Sequence, residues 1–210
     1  MNNSNKTKKI PIGIMQGRLS PRYKNRYQAF PVDYWEKEFF IAKKLGFDCI
    51  EWIFDYENVD VNPIFHEKDI EKINSLINLT DIKVYSVCAD FFMRYTLFDR
   101  DKEKRDNNIK ILNRLIRSSS IIGVRDITVP CVDSSSLRGE KDIENLKESL
   151  MYCLEIADKF KININLETDL PPDEFYKLLL DLNHSRIKVN YDIGNSAYLG
   201  YDSEKEIKTY

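Results

Sequence analysis

Ile162-Asn163-Ile164-Asn165-Leu166-Glu167-Thr168-Asp169 and Ile187-Lys188-Val189-Asn190-Tyr191-Asp192-Ile193-Gly194-Asn195 are two strand-like runs, each leading to a carboxylate, Glu167 and Asp192. Pro172 to Leu182 between them has helical character, so the piece reads strand, helix, strand. A parallel βαβ unit lays the C-terminal ends of its strands side by side. Glu167 and Asp192 are therefore expected together at the end of a sheet or barrel where ligands bind. Two carboxylates there can share a divalent cation or divide acid and base roles. Each can instead cap the helix that follows it, since acidic side chains satisfy the N–H groups at a helix start.

The same alternation extends back through the chain. Strands are predicted at Ile10 to Met15, Asp48 to Phe54, Lys83 to Ala89 and Val124 to Val129. Helices are predicted at about Asp33 to Leu45, Glu67 to Leu79, Asp101 to Ile122 and Asp142 to Phe160. Gly46 and Gly123 stand where helices commonly close. A long loop runs from the first strand to about Pro31, and a serine-rich loop covers Asp133 to Ser136. Past Asp192, Ser196 to Gly200 leads to a helix start at Asp202-Ser203-Glu204-Lys205-Glu206. Strands alternating with helices of ten or more residues indicate a parallel sheet covered by helices. Residues 1–210 read as one α/β domain with about six βα units.

Composition narrows the function classes. Charged residues make up 31% and the hydrophobic set 42%, an ordinary soluble balance. A net charge of −2 leaves no basic footprint for nucleic acid. Lys6, Lys8 and Lys9 precede a short apolar strand rather than a signal-peptide core, and no run approaches a membrane span. A cytoplasmic location is expected. Cys49, Cys88, Cys131 and Cys153 form no closely spaced pair, so they read as reduced packing residues rather than a zinc site.

The chain resembles the xylose isomerase-like TIM barrels, which include sugar-phosphate isomerases and epimerases and, more distantly, endonuclease IV. The resemblance is carried by Ile12-Gly13-Ile14-Met15-Gln16-Gly17-Arg18-Leu19, Gly46-Phe47-Asp48-Cys49-Ile50-Glu51-Trp52, Leu166-Glu167-Thr168 and Asp192-Ile193-Gly194-Asn195, in that order and spacing. It implies a (β/α)8 barrel, of which six units are present, with strands seven and eight expected beyond residue 210. In the epimerase branch a divalent metal (Mn, Mg, Co or Zn) is held by a Glu after strand five, an Asp after strand six, and a His and a Glu from strands seven and eight. Glu167 matches the first ligand and Asp192 the second. The resemblance also makes Glu167 the base that takes a proton beside a sugar carbonyl, giving an enediolate.

Other strand-end residues suit substrate contacts. Gln16 and Arg18 follow strand one, where an amide and a guanidinium can bind hydroxyls or a phosphate; Arg18 can equally serve a surface ion pair. Glu51 points into the barrel mouth or pairs with a cation. Asp90 and Asn195 occupy positions where relatives carry a His. Trp52, Phe91 and Phe92 can form an apolar wall for a sugar face or belong to the core. His184 lies before strand six, on the face of a barrel that bears on stability. With only two histidines, His66 and His184, a trinuclear zinc nuclease site is not expected. The expected partner is a small sugar or sugar phosphate. The competing expectation is a non-catalytic remnant or sugar-binding protein whose open sheet edges are buried by pairing with a second copy.

Overall fold

On the fifth strand, buried apolar residues alternate with half-buried polar ones, the two-residue period of a strand with two different faces. In β5 (Asn163–Thr168), Ile164 and Leu166 are wholly buried while Asn163, Asn165 and Glu167 are partly accessible. The apolar set packs under helices, and the polar set turns to the concave side of the sheet. The computed structural model describes residues 10–210. Its other strands are β1 (Gly13–Met15), β2 (Cys49–Ile53), β3 (Lys83–Cys88), β4 (Asp126–Cys131) and β6 (Ile187–Val189).

All neighbours pair in parallel, and their spatial order, β1-β2-β3-β4-β5-β6, is also the chain order. A sheet wound in one direction is the wall of a barrel; a doubly wound sheet would reverse its order at some point. This is the α/β architecture of the TIM-barrel type, with six βα units in the described residues. The helices are α1 (Trp35–Leu45), α2 (Glu67–Thr80), the single turn α3 (Phe91–Arg94), α4 (Lys102–Ile121), α5 (Glu140–Phe160), α6 (Pro172–Leu182), α7 (Ile193–Leu199) and α8 (Ser203–Thr209). Among the described residues no helix is long and apolar enough to cross a membrane.

Two strands, β1 and β6, are only three residues long, much shorter than their sequence suggests. β1 begins at Gly13; just before it the Ile12 N–H donates to the Asp48 carboxylate at 3.0 Å and the Ile12 carbonyl accepts from Asp48 N at 2.8 Å. β6 ends at Val189, so Asp192 stands beyond the strand and opens α7. Between β2 and β3 the register slips: Ile50 faces Val84 and Glu51 faces Ser86, which leaves Tyr85 as an extra residue. A bulge of this kind re-aims side chains. Here it lets the Ser86 hydroxyl donate to Glu51 Oε1 at 2.9 Å.

The core centres on Trp52, fully buried, with its ring 5.5 Å from Phe30 and 5.7 Å from Trp35. Its indole N–H donates to Asn62 at 3.0 Å, and the Asn62 amide donates to the Ile53 carbonyl at 2.9 Å, so these buried polar groups are satisfied. The long loop after β1 is fastened by Glu38 of α1. That carboxylate accepts from Gly17 N (2.9 Å), Leu19 N (3.2 Å) and the Ser20 hydroxyl (2.7 Å). Gly17 has φ +77°, and a Cβ there would stand 2.8 Å from the Ala29 carbonyl, so only glycine permits this turn. The loop consequently folds back across the C-terminal ends of the strands.

Candidate active site

At those C-terminal ends lies a cavity of about 1090 Å³. Five carboxylates line it: Glu51, Asp90, Asp133, Glu167 and Asp192. Glu167 comes from β5 and is held at both oxygens. Asn190 Nδ2 donates to Oε2 at 2.8 Å and Asn195 Nδ2 donates to Oε1 at 2.9 Å. The sheet register explains the first bond. Leu166 pairs with Val189, and Asn190, just past β6, donates its N–H to the Leu166 carbonyl at 2.9 Å, which brings it alongside Glu167. The second follows from α7, whose first turn carries Asn195 back over β5.

Burial pushes the Glu167 carboxyl up to about 7; the Asn190 hydrogen bond opposes this, and the charges of Asp192, Asp90 and Glu51 add to it. Glu51 is raised mainly by burial, against the Ser86 hydrogen bond. Asp90 is likewise raised by burial, against hydrogen bonds from Gln28 Nε2 (2.6 Å) and the Cys88 thiol (3.3 Å). The Cys88 thiol itself lies well above its ordinary range through burial and the neighbouring Asp90, so it serves as a donor and not as a thiolate. Three carboxylates that resist ionisation in one cavity form a group able to hold and release protons.

Asp192 is the N-cap of α7: its Oδ1 accepts from Gly194 N at 2.7 Å and Asn195 N at 3.0 Å. It also lines the cavity and is exposed, so capping and a place at the site coexist in one side chain. Glu51, Asp90, Glu167, Asp192 and Asn195 are thus brought to one cavity. Gln16 and Arg18 are not among its lining residues. Gln16 is 1% exposed and its side-chain oxygen accepts from Ile53 N at 3.0 Å. Arg18 stacks on Tyr27 at 3.8 Å, donates to the Tyr27 carbonyl, and reaches Gln28 Oε1 at 3.3 Å. Through Gln28 it stiffens the partner of Asp90. Trp52, Phe91 and Phe92 are core, and the cavity's aromatic surface is Tyr27, Tyr56 and Tyr191 instead. His184 accepts from Arg186 N at 3.1 Å, a turn contact away from the cavity, and all four cysteines are free.

Asn190, Gln28, Arg26 and Arg94 line the cavity and are not singled out by sequence patterns. Asn190 lies two residues before Asp192, where the end of β6 offered a hint; Arg26 and Gln28 sit on the irregular loop after β1, and Arg94 on the single turn α3, too short to show a period. Replacing Asn190 by Ala removes a bond that favours the charged carboxylate, so the Glu167 midpoint should rise above about 7. Carboxyl NMR of glutamate-labelled protein without metal reads this directly; an unmoved midpoint would show that Asn190 does not hold the ionised form.

Among the described residues no group of three or more His, Cys, Asp or Glu side chains is arranged to enclose a metal ion. Glu167 and Asp192 nevertheless supply hard carboxylate oxygens. Two such ligands suffice for cations of the magnesium type, which keep waters and take further oxygens from substrate. The donor chemistry therefore fits a divalent ion shared with substrate rather than a closed structural site.

A one-directional parallel sheet with helices outside and a carboxylate cavity at its C-terminal strand ends defines a TIM-barrel-type protein. The family model for xylose isomerase-like TIM barrels matches residues 39–210, and the chain belongs to that family. L-ribulose-5-phosphate 3-epimerase UlaE of Escherichia coli strain SMS-3-5 is 23% identical over 211 residues, covering 96% of this chain and 70% of that protein. Among solved structures, D-psicose 3-epimerase with D-tagatose from Clostridium cellulolyticum H10 superposes with a TM-score of 0.73 at 16% identity, covering 95% of this chain and 69% of that one. A xylose isomerase-like TIM barrel protein from Mycobacterium smegmatis in complex with magnesium gives 0.67 at 17% identity, covering 95% and 70%. The structural likenesses show the fold.

Proposed function

We propose that this chain acts on a sugar or sugar phosphate as an isomerase or epimerase, moving a proton at a carbon next to the carbonyl. The observation that carries this reading is Glu167: a cavity carboxylate gripped at both oxygens and poised at about 7. A base whose midpoint lies near the working pH balances availability against strength. In its ionised form Glu167 takes the proton from the carbon, and the electron pair left behind passes to the carbonyl oxygen as an enediolate. Return of a proton to the neighbouring carbon exchanges aldose and ketose; return to the opposite face inverts the centre. Asn190 and Asn195 keep the carboxylate aimed while it changes charge, and Glu51 and Asp90 are placed to bind hydroxyls.

Glu167 and Asp192 would hold a divalent cation, Mg²⁺, Mn²⁺, Co²⁺ or Zn²⁺, which when bound supplies Lewis-acid stabilisation of the developing negative oxygen. The similarity to 3-epimerases and to a magnesium-bound barrel supports this reading. The direct test is hydrogen exchange. Protein supplied with Mg²⁺ or Mn²⁺ is incubated in D₂O with D-fructose, D-ribulose and D-ribulose 5-phosphate, and proton NMR follows C1 and C3. Loss of a C3 signal identifies an epimerase and of a C1 signal an isomerase; no exchange on any of these sugars would sink the reading.

A second reading, a sugar-binding protein without chemistry, is favoured by one observation: no third potential ligand closes round Glu167 and Asp192 among the described residues. It predicts binding of these sugars with no exchange.

A further inference from the structure

The helix α7 buries no apolar side chain. Ser196 is its single buried residue, while Ile193, Tyr198 and Leu199 are exposed. Seven residues are too few for a helix to persist in water unless its surroundings hold it. The next helix, α8, likewise buries one residue, Glu206, which is 3% exposed. These two residues meet: the Ser196 hydroxyl donates to Glu206 Oε1 at 3.0 Å. The Tyr191 hydroxyl donates to Glu206 Oε2 at 3.2 Å, and the Tyr210 hydroxyl reaches Oε1 at 3.5 Å. Glu206 forms no ion pair among the described residues; the nearby Lys205 and Lys208 pair with Asp173 and Glu204 instead. Burying a carboxylate without a cation is costly, and three hydroxyl donors offset that cost here.

These bonds bracket the functional part of α7. Tyr191 immediately precedes Asp192 and Ser196 immediately follows Asn195, so one carboxylate clasps both ends of the stretch that lines the cavity and reaches Glu167. The helix α8 is itself docked on α6, through the Tyr210 ring, 5.0 Å from that of Phe175, and through Lys205 to Asp173 at 3.2 Å. Tyr201, whose hydroxyl donates to the Asp169 carbonyl at 3.1 Å, ties down the chain beyond α7. We infer that Glu206 is a positioning residue: it fixes the first turn of α7, so that Asn195 meets Glu167 Oε1 and Asp192 lines the cavity. The inference rests on Glu167 as the base of the proposed reaction, and it adds a residue outside the main cavity on which that base depends. An apolar pair could join two helices as well. Two carboxylate oxygens, however, accept from set directions, and so fix the rotation of α7 as well as its proximity.

Side-chain amide NMR of the whole chain, labelled with nitrogen-15 asparagine and without added metal, tests it. Glu167→Gln changes the acceptor of Asn190 and Asn195 and should shift both of their side-chain signals. On a Glu206→Ala background the same substitution should shift the Asn190 signal alone, because Asn190 is held to β5 by its own backbone N–H and not by α7. Glu206→Gln should restore the Asn195 response, since its amide offers an acceptor and a donor that hydroxyls can both meet. Glu206→Ala should also slow sugar hydrogen exchange by about 10- to 100-fold, as a misaimed base does. If far-UV circular dichroism shows that Glu206→Ala does not fold, Ser196→Ala, which removes a single hydroxyl, takes its place and should weaken the Asn195 response in the same selective way. An Asn195 response that survives the alanine variant, an Asn190 response lost with it, or no rescue by glutamine would overturn the inference. A wild type that exchanges no sugar hydrogen would sink the isomerising reading and leave the NMR outcome to decide Glu206; sugar exchange with the Asn195 response intact in Glu206→Ala would do the reverse.

Discussion

Glu167→Gln should lower sugar hydrogen exchange by about 10³-fold or more, in the range expected when a general base is removed, while far-UV circular dichroism stays unchanged. Glutamine preserves the volume, and its side-chain oxygen can still accept from Asn190 or Asn195. What disappears is the proton acceptor. Retained exchange would mean that another cavity carboxylate, Glu51 or Asp90, carries the chemistry. The same variant has a signature in stability. Folding raises the Glu167 midpoint from an ordinary 4.5 to about 7, so the folded protein keeps a proton that the unfolded chain has released. Wild-type stability therefore falls as pH rises from about 4.5 to about 7, and the penalty is constant above that. The stability of Glu167→Gln relative to wild type should rise over that window by on the order of 3 kcal/mol and level off beyond it. Urea midpoints at pH 4.5, 6 and 8 read this out; a pH-independent difference would show that Glu167 titrates normally.

The second large effect is in the core. Trp52→Ala should cost about 3–5 kcal/mol, the range for removing a large buried aromatic side chain. Typical domains are stable by about 5–15 kcal/mol, so this variant sits near the edge of unfolding at room temperature. The loss has three parts: the buried ring, its contacts with Phe30 and Trp35, and the hydrogen bond to Asn62. Trp52→Phe keeps most of the first two and should lose only about 1–2 kcal/mol, largely through an Asn62 oxygen left with one donor fewer. Because Trp52 adjoins Glu51 in β2, the Ala variant should also blunt exchange activity when it is folded. A urea midpoint unchanged in Trp52→Ala would show that the ring does not anchor the sheet.

Much of the cavity's acidic lining was legible before any coordinates. Leu166-Glu167 and Asp192-Ile193-Gly194-Asn195 stand at the ends of apolar runs, and parallel pairing forces such ends together. Glu51 and Asp90 follow the same logic on β2 and β3. Gln16 and Arg18 show where that logic stops. Both follow β1, yet the loop turns sharply at Gly17, Gln16 goes to the Ile53 amide, and Arg18 goes to the loop's own carbonyl. Position at a strand end determines proximity to the cavity; competing hydrogen bonds determine direction. Asp192 shows a third case, in which one carboxylate oxygen caps α7 while the side chain still lines the cavity.

Local periodicity, visible in the sequence alone, determined the alternation of strands and helices, the parallel sheet and the pairing of Glu167 with the segment that carries Asp192. These follow from side-chain spacing, which acts over a few residues and needs no distant partner. Tertiary structure alone decided that Asn190 and Asn195 grip Glu167 and that Gln28 reaches Asp90 across 62 residues of chain. It raised the Glu167 carboxyl as well. Burial and mutual repulsion, which shift Glu167 to about 7, depend on what the folded chain removes from water and not on which residues adjoin in sequence.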